Sequence, residues 1–326
     1  MIQTLRWGLL STADINRALI PPLRSSKRNE LLAVASRTKD KADAYAREKK
    51  IKRAYGSYEA LLADPEFDVI YNPLPNHLHT EWTIKAVEAG KHVLCEKPRA
   101  LNLAEVDAVD AAARKYGKVV AEGFVYRTHP LALKVKQLIE GEKLGKIKIV
   151  RGSLPYHNPP TDSYRMNHAM DGGGLWDIGC YPLSYLRTIL GMEPIEVFGW
   201  QVIGPTSVDE TFIAQMHFPG EVYAQFDCSM VIPYHVFMEF IGDEATLIIP
   251  NPFIPGPKNK FYLTRDGKTE TITLKAPVTY ISEVEDMADA ILLGKPPLLS
   301  LTHSRANVAV IQAQFVSAKI GKPVAV

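Results

Sequence analysis

The chain has only three cysteines in 326 residues, Cys95, Cys180 and Cys228, far apart and without a Cys-x-x-Cys pair. An odd count at such spacings offers neither a disulfide framework nor a thiolate zinc site, which leaves buried thiols as the plain reading. Cys180, next to Tyr181, is the one whose reactivity stays open. Charge of one sign is also missing: 38 Lys and Arg against 36 Asp and Glu leave a formal net charge of +2 and no basic stripe. Nucleic acid is therefore not an expected partner, because phosphate neutralisation needs clustered cations. No long apolar run occurs either. The opening MIQTLRWGLLSTADINRAL is broken at Thr12 and Asp14, too short and too polar for a signal peptide or a membrane span, so the chain reads as cytoplasmic with no membrane partner. Internal repeats and low-complexity tracts are absent as well.

What is present is core material, with 46% hydrophobic and 23% charged residues, over a length that favours two domains. Up to about Phe124, short β-rich runs (TLRWGLL, LLAVASR, DVIYNPL, HVLCEKP, VVAEGF) alternate with helical patterns. Runs such as DVIY and HVLC are apolar on consecutive positions, as in parallel strands covered on both faces. Pro21 and Pro22 are expected to kink or shorten the first helix. Beyond Phe124 the rhythm changes to strands joined by short turns such as FPGE and RDGK, which predicts an antiparallel sheet, followed by two closing helices. The predicted fold class is α/β. A doubly wound, Rossmann-type dinucleotide-binding domain over residues 1–124 precedes an α+β domain over 125–326 with an open, mainly antiparallel sheet for substrate binding and oligomerisation. An open sheet with one uncovered face is expected to pair with another copy, giving a homodimer or homotetramer.

The turn after the first strand reads Gly8-Leu9-Leu10-Ser11-Thr12-Ala13-Asp14-Ile15-Asn16, where backbone N–H groups would meet a pyrophosphate. The strict glycine fingerprint is missing, with Ser11, Ala13 and Asn16 in the glycine places. A plain helix start capped by Thr12 or Asp14 is the other reading. The end of the second strand carries Ser36 and Arg37, with Lys41 one helical turn on, where an NAD enzyme would place an acid for the ribose 2′-hydroxyl. Those residues suit a 2′-phosphate, so NADP(H) is the preferred cofactor with NAD(H) still possible; a solvated Arg/Lys pair is the alternative. The fifth strand runs into Cys95-Glu96-Lys97-Pro98, placing Lys97 at the carboxyl edge of the sheet, where a nicotinamide would lie. Beside a cationic ring its ammonium is ready to donate a hydrogen bond or proton to a carbonyl oxygen, with Glu96 orienting it. Pro98 is a candidate for a cis bond, which sequence alone leaves open.

The segments GLLSTADI, VASR, YGSYEALLADPEFDVIYNPLPNHLH, AVEAGKHVLCEKP, YRTHP and GGGLWDIGCYP together resemble the Gfo/Idh/MocA oxidoreductase family, over nearly the whole length. That family includes glucose–fructose oxidoreductase and the inositol, xylose and dihydrodiol dehydrogenases. The resemblance implies that Ser11, Thr12, Ala13, Asp14 and Ile15 cradle the pyrophosphate, and that Ser36, Arg37 and Lys41 face the adenosine phosphate. By the same resemblance Pro73, Leu74, Asn76 and His77 line the nicotinamide riboside, with Glu96 and Lys97 beside the ring.

In GGGLWDIGCYP, Asp177 and Tyr181 stand four apart on a predicted helix and so share a face. Inositol-type members carry histidine where this chain has Tyr181, whereas the aldose and dihydrodiol dehydrogenases resemble it in carrying tyrosine. With Lys97 they form the predicted catalytic set, Tyr181 exchanging the hydroxyl proton and Asp177 holding substrate hydroxyls or Lys97. The alternative is a core tyrosine and a local cap. Arg127, Arg165 and His168 are candidates for hydroxyl contacts, against a surface reading for Arg165, and the pocket loop from Tyr156 to Met170 has no recognisable code. His77 and His79 diverge at a helix start without a supporting acid or thiol cluster, so no metal is expected.

The leading expectation is an NADP(H)-dependent oxidoreductase that moves a hydride between nicotinamide and a sugar or polyol carbon, in the manner of an aldose 1-dehydrogenase. A ketoreductase of keto sugars or sugar nucleotides is the first alternative. A non-catalytic NADP-sensing regulator is the second.

Overall fold

The computed structural model describes residues 4–157, 163–298 and 300–326. The first stretch alternates β1 (Leu5–Leu10), α1 (Asn16–Ser25), β2 (Asn29–Ala35), α2 (Lys39–Lys49), β3 (Arg53–Tyr55), α3 (Tyr58–Ala63), β4 (Val69–Asn72), α4 (His79–Glu88), β5 (His92–Cys95), α5 (Leu103–Tyr116) and β6 (Val120–Glu122). Then come α6 (Pro130–Glu140), β7 (Ile147–Pro155), α7 (Cys180–Leu190), β8 (Glu196–Ile203), β9 (Asp209–Phe218), β10 (Val222–Ser229) and β11 (Phe237–Gly242). The chain closes with β12 (Thr246–Pro250), β13 (Lys258–Arg265), β14 (Lys268–Lys275), α8 (Ile281–Leu293), α9 (Leu301–Ile320) and β15 (Val324–Ala325). Among the described residues no helix is long and apolar enough to cross a membrane.

Two compact units result, the chain up to Phe124 with Tyr280–Arg305, and Val125–Thr279 with Ala306–Val326. A single division after residue 124 therefore misplaces residues 280–305. The physical reason lies in what α8 touches: Arg28 beside β2 pairs with Glu285 and with Asp289 at 2.5 Å, and Ser26 donates to Glu285 at 2.6 Å. Asn29 Nδ2 reaches the Val284 carbonyl, while Val284, Met287 and Ala288 are buried.

In the first unit six strands form an all-parallel sheet in the order β3-β2-β1-β4-β5-β6. Every residue of β4 (Val69, Ile70, Tyr71, Asn72) is buried, as covering on both faces requires. The order reverses between β1 and β4, and a doubly wound sheet opens its ligand crevice at the carboxyl ends of such strands. The loops after β1, β2, β4 and β5 are thereby gathered at one edge.

The second unit is built on a nine-stranded sheet, β14-β13-β12-β11-β7-β10-β9-β8-β15, antiparallel except for the β7–β10 pair. Burial alternates along β9 and β10, so one face is packed and the other open. Phe212, Ala214, Met216, Ala224 and Phe226 point into the core.

Candidate active site

The turn leaving β1 is held without glycine. Ser11 takes a positive φ of 87°, its N–H donates to the Ala35 carbonyl at 3.0 Å, and its Oγ accepts from Ala13 N at 3.2 Å. A non-glycine residue in that region carries strain, which the surrounding bonds hold in place. Asn16, fully buried, donates to the Ser11 carbonyl at 2.9 Å while its Oδ1 has no partner among the described residues. Neither Thr12 nor Asp14 caps α1: the cap position is Ile15 with no side-chain bond, and Asp14 turns to solvent against Arg17 at 2.8 Å. The first N–H groups of α1, those of Asn16, Arg17 and Ala18, donate instead to the carbonyls of Ala13, Asp14 and Ile15 at 3.1, 3.0 and 2.9 Å, so the helix opens on a tight backbone turn.

At the end of β2, Ser36 is buried with its N–H on the Tyr55 carbonyl, while Arg37 and Lys41 are exposed just beyond. After β4, Pro73, Leu74 and Asn76 are buried and His77 is exposed on a 3₁₀ turn, Asn76–Leu78. Asn72 fastens this corner by donating to the His79 carbonyl and to Thr83, and its Oδ1 accepts from Leu74 N.

Glu96 and Lys97 follow β5, both half-buried, and the Lys97–Pro98 peptide is cis. Tyr71, fully buried on β4, donates its hydroxyl to Glu96 Oε1 at 2.6 Å. His79 places Nδ1 2.7 Å from the Pro98 carbonyl, and burial lowers its pKa to about 4, so the ring is neutral and donates from Nδ1. Tyr71 and His79 thus hold the two ends of the Glu96-Lys97-Pro98 turn. Sequence reading passed over Tyr71 and weighed His79 only as a metal-like residue. The one available signal was their position at the ends of buried elements.

In the second unit, Asp177 does not lie in an α-helix. Leu175–Gly179 form a π-helical turn that leads into α7, where Tyr181 sits. A π turn widens the helix by one residue and recurs at functional sites. Asp177 is nearly fully buried; its Oδ2 accepts from Tyr156 Oη and from Arg165 Nε, each at 2.9 Å. Burial opposes the Arg165 charge, but the Asp177 carboxylate more than offsets this and raises the guanidinium pKa. Burial and the same carboxylate raise that of Tyr156. Tyr181 is 8% exposed, its ring 6.5 Å from Tyr126 and 6.0 Å from Phe253. Arg127 is half-buried on the 3₁₀ turn Val125–Thr128, and His168 is exposed on another, His168–Met170. Asp177 and Arg165 are therefore brought together, with Tyr156 as an unforeseen third member. In the Tyr156 to Met170 loop, residues 158–162 lie outside the described ones.

Residues 5–124 match the GFO_IDH_MocA oxidoreductase family with an NAD-binding Rossmann fold, and residues 132–248 match the GFO/IDH/MocA C-terminal domain. D-xylose 1-dehydrogenase (NADP(+)) 2 of Haloferax volcanii is 33% identical, the match covering 98% of each chain. The solved aldose–aldose oxidoreductase of Caulobacter crescentus, complexed with glycerol, superposes with a TM-score of 0.92 at 25% identity, over 99% of this chain and 100% of that one. A 3-ketoreductase of Actinomadura kijaniata, solved with NADP and TDP-benzene, gives a TM-score of 0.91 at 27% identity, over 97% and 98%. Two domain matches in series, together with a full-length relative above 30% identity, place this chain in the Gfo/Idh/MocA family of NAD(P)-dependent oxidoreductases.

Proposed function

We propose that the protein is an NADP(H)-dependent dehydrogenase of sugars, acting on an aldose at C1. The observation that carries this reading is Lys97 at the carboxyl end of β5, in a turn fixed by Tyr71 through Glu96 and by His79 through Pro98. An ammonium held there suits an oxygen whose negative charge grows as its proton is withdrawn ahead of hydride loss or, in the reverse direction, as a hydride arrives on the carbonyl carbon. The cofactor fits the residues present: a glycine-free turn from β1 into α1 that Ser11 holds at positive φ, a buried Asn16 Oδ1 that calls for a donor such as a hydroxyl, and a β2 end without an acid. Ser11, Thr12, Ala13, Asp14 and Ile15 meet the pyrophosphate, Asp14 through its backbone. Ser36, Arg37 and Lys41 meet the 2′-phosphate, and Pro73, Leu74, Asn76 and His77 the nicotinamide riboside. The Haloferax relative's name, which specifies NADP(+) and D-xylose, supports both choices.

When bound, the cofactor accepts or returns the hydride. Tyr181 takes the proton of the sugar hydroxyl, Lys97 hydrogen-bonds to the developing alkoxide, and Glu96 holds Lys97. Asp177 binds a sugar hydroxyl, kept in place by Tyr156 and by Arg165, whose remaining nitrogens, with Arg127 and His168, meet other hydroxyls. A panel of aldoses, polyols and keto sugars assayed with NADP+, NAD+ and NADPH tests the reading; binding of NADPH without turnover across the panel would make the chain a cofactor sensor instead. Reduction of a keto sugar or its nucleotide is a second reading, supported by the ketoreductase likeness. In that case NADPH oxidation by keto substrates exceeds NADP+ reduction by every aldose.

The open face of the nine-stranded sheet carries Ile149, Trp200, Val202, Ile213 and Tyr223, all 38–59% exposed, and Ile149 and Tyr223 line a groove of about 500 Å³ with Phe198, Gln215 and Gln225. Register pairs Trp200 with Ile213 and Ile149 with Tyr223, two apolar groups on the same face with the row of Gln215, Gln225 and Arg151 between them. A second copy covers this face in a homodimer or homotetramer. A monomeric mass by light scattering contradicts that assembly.

A further inference from the structure

We infer that Asp209 is a positioning residue for Asp177 and Tyr181: from β9 its carboxylate caps the π-helical turn that presents them, and proton uptake by Asp209 releases that turn. The inference rests on the roles proposed above for Asp177 and Tyr181.

A helix start leaves its first N–H groups without acceptors, and a side chain just ahead of it normally supplies one. Here the residues ahead are Gly172, Gly173 and Gly174, and the turn has no side-chain cap of its own. The acceptor comes instead from Asp209, 34 residues on, whose Oδ2 takes the Leu175 N–H at 2.6 Å. The N–H groups of Gly174 and of Asp209 itself also favour the ionised carboxylate. The approach is so close that a Cβ on Gly173, at φ +130°, would fall 2.1 Å from Asp209 Oδ1. Glycine at 173 is therefore required for this cap as well as for the local backbone. Because the cap sits on a strand, the turn is tied to the sheet. Asp177 is the third residue of that turn and Tyr181 one turn further on, so both inherit its position.

The carboxylate is 4% exposed. Burial pushes its pKa up to about 7, against the three N–H donors that lower it, so the cap titrates near neutrality. The titratable groups around it are Asp177 and Cys180 on the capped segment, Cys228 and Asp227 on β10, and Glu210 next along β9. Protonated, Asp209 loses the charge-assisted part of its bonds, and one oxygen becomes a donor facing N–H groups.

Asp209→Asn keeps the shape and cannot ionise. Its kcat is expected to fall about tenfold to a hundredfold, the loss that a small misplacement of reacting groups produces, with NADPH affinity unchanged. In the wild type, kcat/KM falls on the acid side with a midpoint about pH 7, and this limb is absent from Asp209→Asn. Hydrogen exchange of residues 174–181 is faster in the variant. Wild-type kcat and exchange in Asp209→Asn, or an unaltered acid limb, overturns the inference. If the variant does not fold, exchange of the same segment in the wild type at about pH 6 and about pH 8, corrected for intrinsic rates, decides the matter. Weaker protection at the lower pH, confined to this segment, supports the cap, and equal protection refutes it. The exchange readout needs no sugar, so a silent substrate panel counts against the proposed function and leaves the cap answerable.

Discussion

Arg165 donates through Nε to Asp177 Oδ2 at 2.9 Å, across a gap of twelve residues, and the same oxygen accepts the Tyr156 hydroxyl. The Asp177 side chain is 4% exposed, so a cation and a hydroxyl donor together take the place of water around that oxygen. Replacing Arg165 by Ala leaves a buried carboxylate with one donor fewer. Stability to urea is expected to fall by about 1–2 kcal/mol, the loss moderated by solvent at the half-exposed Arg165 side. In steady-state kinetics kcat drops more than KM rises, because the change displaces Asp177. A variant with unaltered stability and kinetics makes the pair a surface ornament.

Glu283, fully buried on α8, has no hydrogen-bond partner for either carboxylate oxygen among the described residues. Burial first, then the nearby Glu96 and Asp286, raises its pKa well above the ordinary value near 4.5. Below that ordinary value the group is neutral in both folded and unfolded chains. Above it the unfolded chain releases the proton while the folded one retains it, so stability declines as pH rises toward the folded pKa, by at most about 1.4 kcal/mol per unit. Glu283→Gln removes this term. Its melting temperature relative to the wild type should climb steadily from acid to alkaline buffers, and a pH-independent difference would count against a neutral Glu283.

Cofactor choice is assigned to the β2 end. Arg37→Ala is expected to weaken NADPH binding about tenfold or more, the contribution of a charge-assisted phosphate contact, while NADH binding is unchanged. Ser36→Asp, which restores an acid for a ribose hydroxyl, should invert the preference. Fluorescence titration with both reduced cofactors checks this, and equal losses for the two would place Arg37 outside the phosphate site.

Much of this was readable in the chain. Consecutive apolar positions in DVIY and HVLC gave buried parallel strands, and the short turns FPGE and RDGK between later runs gave an antiparallel sheet. Other features depend on distant partners that local patterns do not encode. An amphipathic helix such as α8 does not name the surface it covers, and the Arg28 contacts that fix it are more than 250 residues away in sequence. The parallel β7–β10 pair is hidden by the strands and helix that intervene. α1 runs through Pro21 and Pro22 to Ser25, because burial of Leu19, Ile20, Pro22 and Leu23 outweighs the lost backbone bonds. The motifs pointed to Lys97, Asp177 and Tyr181 for the proposed site, while the bonds from Tyr71 to Glu96, His79 to Pro98, Tyr156 to Asp177 and Leu175 to Asp209 join residues that no local pattern connects.

The proposed chemistry depends on Lys97, and its most direct measurement is NADP+ reduction over a panel of aldoses by the wild type and by Lys97→Ala, with NADPH affinity measured in parallel. An aldose that supports wild-type turnover, a loss of about 10²–10³ in kcat for the variant, and affinities that agree within about tenfold are the results expected of a group that stabilises charge in the transition state. Wild-type kcat in Lys97→Ala would contradict a role for this ammonium in stabilising the alkoxide.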